Sequence, residues 1–87
     1  MTEPITKVVF RVWKSGHGKG DVIALFPYIE ADHAGNCLSY ERVGQHGGAD
    51  YSGCIKATRP ATSEEAAPLK RELERLGYRL EVIQRKQ

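Results

Sequence analysis

The stretch ITKVVFRVWKSGHGKGDVIALFPYIE, residues 5–30, decides the fold. Its first ten residues alternate, with Val8, Phe10 and Val12 on one side of an extended chain and Lys7, Val9, Arg11 and Trp13 on the other. Successive side chains of a strand point to opposite faces, so this spacing predicts a half-buried strand. Ser15, Gly16, His17, Gly18, Lys19 and Gly20 follow, and their alternating glycines supply the backbone freedom of a tight connection. The run DVIALFPYIE is then apolar on both faces from Val22 to Phe26, as a central strand is. Pro27 donates no ladder hydrogen bond, so the strand either ends there or places the proline at an edge or bulge. Together these segments predict a hairpin. The same glycines superficially resemble a phosphate loop, but such a loop needs a helix N-terminus directly after it, and here a strand follows.

Reading outward, residues 31–36 form a polar turn and CLSYERV, residues 37–43, has the composition of a third strand. Segment 44–53, GQHGGADYSG, holds four glycines in ten residues and reads as a loop, either free or shaped around a ligand. Residues 54–59 then return as a fourth strand. Thr62 and Glu65 have the spacing of a capping box, which starts a helix at Ser63. Leu69, Leu73 and Leu76 make its apolar stripe and Gly77 its stop. Pro68 conflicts with that helix, since it removes a hydrogen bond to Glu64, and it predicts a kink or a start only at Ala67. YRLEVIQR, residues 78–85, alternates again and closes the chain as a strand. The expectation is an α+β domain covering residues 1–87. It has a small antiparallel sheet of four to five strands, with one helix of the C-terminal half packed on one face.

Eighty-seven residues leave room for one core, and 40% apolar with 28% charged residues is ordinary for a globular protein. The net charge of +2 is too small to imply nucleic acid by itself. Its distribution is uneven: four basic and one acidic residue in 1–20, one basic and five acidic in 21–50, six basic and three acidic in 70–87. Cys37 and Cys54 are the only cysteines, and no hydrophobic signal core or membrane-length apolar run occurs. A cytoplasmic protein with reduced thiols and no membrane partner is the expectation.

The strings VIALFP (22–27), SYE (39–41), VGQHGGADY (43–51) and TRPAT (58–62) together resemble a family of short, uncharacterised bacterial and mobile-element proteins. The resemblance covers most of the chain and implies a bacterial origin. It carries no activity, ligand or catalytic residue to this sequence.

Several groupings of residues bear on function. Gln45, His46, Asp50 and Tyr51 gather acid, base and amide groups on a glycine-rich backbone, where His46 as base and Cys54 or Cys37 as nucleophile would suit an enzyme. The bland account is a turn in which Asp50 caps amides and Tyr51 packs. His17, His33, His46, Asp32, Asp50, Cys37 and Cys54 can all ligate metal, but their spacings match no short zinc pattern. Arg11 and Trp13, on a sheet face left uncovered by a single helix, would suit single-stranded nucleic acid together with Lys70, Arg71, Arg75 and Arg79 on or near the helix. The same uncovered face, or an open strand edge, would also suit another protein or a second copy of this chain. The reading adopted is a non-enzymatic protein-binding or self-associating domain, a dimer among its forms. Single-stranded nucleic-acid binding is the first alternative, and an enzyme or metal site in segment 44–53 the second. The candidate binding residues are Gln45, His46, Asp50, Tyr51, Arg11 and Trp13; no catalytic residue, metal or cofactor is assigned.

Overall fold

A computed structural model describes residues 5–14, 19–31, 35–41 and 45–84, with the backbone alone at 45 and 46. The elements run β1 (Thr6–Trp13), β2 (Val22–Glu30), β3 (Cys37–Glu41), β4 (Gln45–Ala49), α1 (Tyr51–Ala57), β5 (Thr58–Pro60), α2 (Ser63–Arg75) and β6 (Leu80–Val82). The first four strands form an antiparallel meander, and α1 carries the chain back so that β5 pairs with the free side of β1. The sheet order is β4-β3-β2-β1-β5, with β6 pairing β1 as well. β5 takes Arg11 to Trp13 of β1 and β6 takes Thr6 to Val8, so the two short strands share one edge.

The alternation of β1 puts one helix on each face. Val8, Phe10, Ala24, Phe26 and Tyr40 point toward α2 and bury Ala66, Leu69 and Leu73. Val9, Ile23, Leu25, Cys37 and Ala49 make a second cluster on the other side, against which Tyr51, Cys54 and Ile55 of the α1 segment pack. Each fully buried Phe, Leu or Ile contributes roughly 1.5–3 kcal/mol relative to exposure, so both faces are needed by so small a domain.

The ends of α2 follow local chemistry. Thr62 Oγ1 accepts from the Glu65 amide at 3.1 Å and the Glu65 carboxylate accepts from the Thr62 amide at 2.9 Å, completing the capping box. At the other end Gly77 takes φ +106, its N–H donates to Glu74 O at 3.1 Å, and the Tyr78 N–H donates to Leu73 O at 3.2 Å. That pair of bonds closes the last turn around a glycine, which alone adopts positive φ without strain. Tyr78 then stacks on Phe26, ring centroids 5.3 Å apart.

Five features differ from the sequence expectation. The glycine-rich residues 45–49 are a strand, because the outer side of β3 offers each of them a ladder partner. Residues 54–57 belong to a second helix, and of the expected fourth strand, 54–59, only Thr58 and Arg59 are extended, joined by Pro60 in β5. The later start at Ala67, one of the two outcomes predicted from Pro68, does not occur: the helix begins at Ser63 with Pro68 inside it, and both Pro68 and Glu64 are exposed, so water can meet the carbonyl that lost its donor. Leu76 is the C-cap and 56% exposed; Ala66, not Leu76, completes the buried stripe with Leu69 and Leu73. The last strand is only three residues long and runs parallel to β1. Pro27 takes the alternative its chemistry allowed: β2 continues through it, with a register irregularity between Phe26 and Glu30. The connections at 15–18, 32–34 and 42–44 lie outside the described residues.

Candidate interaction edge

Of the residues singled out in the sequence, Arg11 has the most definite place. It is 8% exposed, on the face covered by α1. Its Nε donates to Thr58 Oγ1 at 2.9 Å, and its Nη2 donates to Ile55 O at 3.0 Å and Thr58 O at 2.7 Å. Thr58 Oγ1 in turn donates to Cys54 O at 2.6 Å. A cation thus meets the last carbonyls of α1, the negative end of the helix, and ties them to β5 and β1. Burial lowers the pKa of this guanidinium and the nearby Tyr51 raises it, but an arginine stays charged. The face expected to be open for nucleic acid is therefore covered, and Arg11 is engaged beneath it.

Trp13 is half-buried against the second cluster, as is Tyr51 in the first turn of α1. Asp50 is the exposed N-cap of α1 and makes no side-chain cap bond. Its carboxylate lies over Gly53, where a Cβ would meet Asp50 Oδ2 at 2.8 Å. Lys70, Arg71 and Arg75 stand on α2, across the sheet from Trp13 and Tyr51, so the aromatic and basic residues do not form one surface. Cys54 packs on the cluster that contains Cys37, and neither cysteine forms a disulfide. Burial first, then Cys37, Asp50 and Glu41, push the Cys54 pKa up, the reverse of what activates a thiol nucleophile. His17, His33 and Asp32 lie outside the described residues, and the side chains of Gln45 and His46 do too. Among the described residues no group of three or more His, Cys, Asp or Glu is placed to hold a metal ion.

Among the described residues, cavities lie away from segment 44–53. One of about 260 Å³ lies between α2 and β6, over Phe10, Ala66, Lys70 and Ile83. Another of about 280 Å³ follows the irregular end of β2 at Tyr28 and Cys37. Neither is lined by Asp50, Tyr51 or β4.

What segment 44–53 does contribute is an edge. The Trp13 N–H donates to Asp21 O at 3.0 Å, so odd positions of β1 face β2. Even positions face the other way, as the bonds from Ile83 to Val8 O and from Ala61 to Phe10 O show. Neighbouring residues in a strand point their N–H and C=O groups to opposite sides, so the registers carry this parity across the sheet. Leu25 and Ile23 face β1, Ala24 and Phe26 face β3, and Ser39, paired with Gly47, faces β4. Gln45, Gly47 and Ala49 therefore bond inward to β3, and the backbone N–H and C=O groups of His46 and Gly48 point outward. Ser39 Oγ adds a bond to Gly47 O at 3.0 Å, fastening the strand from its inner side.

β4 ends the sheet, and among the described residues no strand pairs with its outer side. Its five residues, QHGGA, include no Lys, Arg, Asp, Glu or Pro. Natural sheets usually protect an edge with charge, proline or a covering element, and none of the first two is present here. Alternation gave no hint of this strand; the absence of proline and formal charge in 44–49 is the one sequence signal that could have. Comparison with protein-family models, with curated proteins and with solved structures gives no match to this chain.

Proposed function

We propose that this protein is a non-enzymatic binding domain that engages an extended protein strand along the outer edge of β4. The observation that carries the reading is the outward pair of backbone groups at His46 and Gly48 on an edge strand without charge or proline. Strand addition of this kind takes its affinity from main-chain hydrogen bonds and its register from the side chains beside them. The covered sheet faces and the engaged Arg11 favour an edge over a face as the point of contact. No helix among the described residues is long and apolar enough to cross a membrane. Two cysteines without a disulfide fit a reducing compartment, and we place the protein in the cytoplasm.

The test is selection of binders from a library of random ten-residue peptides, followed by comparison of the wild type with Gly48→Pro. The Gly48 N–H points out of the sheet, so proline there removes an edge donor without removing a bond to β3. Selected peptides should bind the wild type and lose binding to the folded variant. Peptides that bind both equally, or a library that yields none against the protein in its monomeric form, would defeat the proposal.

A further inference from the structure

The reading of β4 as a binding edge leaves its partner unnamed, and the geometry of that edge points to one. We infer that the partner is a second copy of this chain, its β4 running antiparallel to the first about a two-fold axis through Gly47. The inference rests on the edge reading above and adds the partner and the register.

Three observations lead there. First, among the described residues β4 is the one sheet edge of ordinary strand length without charge or proline. On the far edge β5 presents Thr58 and Pro60 outward, and Pro60 has no N–H, while β6 is three residues with Glu81 at its centre. Head-to-tail pairing of β4 onto that edge would build an open filament, and proline with short, charged strands opposes it. An edge left with only itself to pair closes as a two-fold dimer.

Second, the strand is self-complementary. In the register that puts Gly47 opposite Gly47, His46 of each copy faces Gly48 of the other, and those are the residues whose backbone groups point outward. Each such pair exchanges both N–H···O bonds, and the strands match over their full length from 45 to 49. Because β4 has no acidic or basic residue apart from His46, no like formal charges stand opposite one another.

Third, the monomer does not explain Gly47. Its φ is not positive, and a Cβ there would meet only Ser39 Oγ, at an ordinary 3.8 Å. A glycine inside a strand often marks a bulge, a tight bend or a close approach by another backbone, and the unbroken register of β4 with β3 favours the last. The two Gly47 residues would form a non-hydrogen-bonded pair, the type with Cα atoms only about 4.5 Å apart.

That separation supplies the experiment. Gly47→Cys, oxidised mildly beside the wild type as control for Cys37 and Cys54, should give a covalent dimer, since a disulfide spans Cα distances of roughly 4.4–6.8 Å. Light scattering over a concentration series should show the wild-type mass rise from 9.7 kDa toward twice that value. Gly47→Lys and Gly47→Glu, each checked for fold by circular dichroism, should stay monomeric alone and restore the dimer when mixed, because like charges opposite each other repel and unlike ones attract. A wild type that stays monomeric and uncrosslinked throughout overturns self-pairing, while peptide binding blocked by Gly48→Pro would still uphold the edge. A dimer that survives Gly47→Lys alone, or that forms without the Gly47→Cys crosslink, overturns the two-fold register.

Discussion

On the β5 and β6 side, the outer backbone of the sheet is broken into two three-residue strands. It is interrupted by Pro60 and held in place by side chains from elsewhere: Arg11 from β1 and Glu65 from α2. On the β4 side, five residues without proline or formal charge run beside β3, fastened only from within by the ladder and by Ser39. Both edges end the same sheet, so the difference is not one of architecture. Arginine and glutamate side chains brace one edge, whereas among the described residues the other edge carries neither charge nor proline, two of the usual protections of a sheet edge.

The strongest way to break that contrast is to unfasten the fixed edge. Arg11→Met keeps an apolar stem beneath α1 but removes three charge-assisted bonds and leaves the carbonyls of Ile55 and Thr58 without that donor. A bond to a charged group is worth about 1.5–3 kcal/mol, and stranding buried partners adds to the loss, so the variant should lose roughly 3 kcal/mol. Urea unfolding measures it as a lower midpoint at unchanged slope. A loss under about 1 kcal/mol would mean that β5 is held by its ladder alone.

A second perturbation acts on the helix behind that edge. Thr62→Ala removes the hydroxyl that caps the Glu65 amide, and should cost about 1 kcal/mol, while Thr62→Ser should recover most of it. Equal stability of all three forms would show that the Glu65 carboxylate, bonded to the Thr62 amide, carries the cap unaided.

The open edge responds in the opposite direction. Gly47→Ala needs no change of dihedral and finds room beside Ser39, so the folded monomer should gain roughly 0.5–1 kcal/mol from reduced chain entropy. Thermal unfolding at a concentration where the protein is monomeric reads it. A loss there would mean that Gly47 is needed within the monomer, which would remove one of the grounds for a close partner.

The reach of the sequence follows the same division between local and distant causes. The hairpin, the capping box at Thr62 and Glu65 and the stop at Gly77 all arise from residues within a few positions of one another, and each was legible. β4 was not, because two glycines erase alternation and its extended state is imposed by β3. α1 was not either: seven residues are too few to be helical alone, and its end is fixed by Arg11, forty-four positions from Ile55. The role of Arg11 misled for that reason. Alternation placed it opposite Phe10 correctly, but nothing local showed that a second helix would cover it. In segment 44–53 the glycines read as a loop, and residues 45–49 are instead a strand whose outward backbone groups follow from its register with β3.

The smallest effect tests the outermost fastening of the closed edge. Arg59 Nη1 and Nη2 grip the two oxygens of Glu65 at 2.9 and 2.6 Å, linking β5 to the first turn of α2. With its further bond from the Thr62 amide, this holds the Glu65 carboxyl down at about 2, below the ordinary carboxylate range. A depressed carboxyl stabilises the fold while it is ionised, so its contribution is complete above its unfolded value, near 4.5, and fades as the pH falls toward 2. The pair is solvent-exposed, which makes that contribution small and sensitive to salt. The stability difference between the wild type and Glu65→Gln should therefore be constant from pH 7 to about 5 and shrink below it, with added salt reducing it at neutral pH. A difference that does not change between pH 5 and 2 would place the Glu65 effect in the geometry of the cap, and the closed edge would then owe its hold to Arg11 and to the ladder with β1.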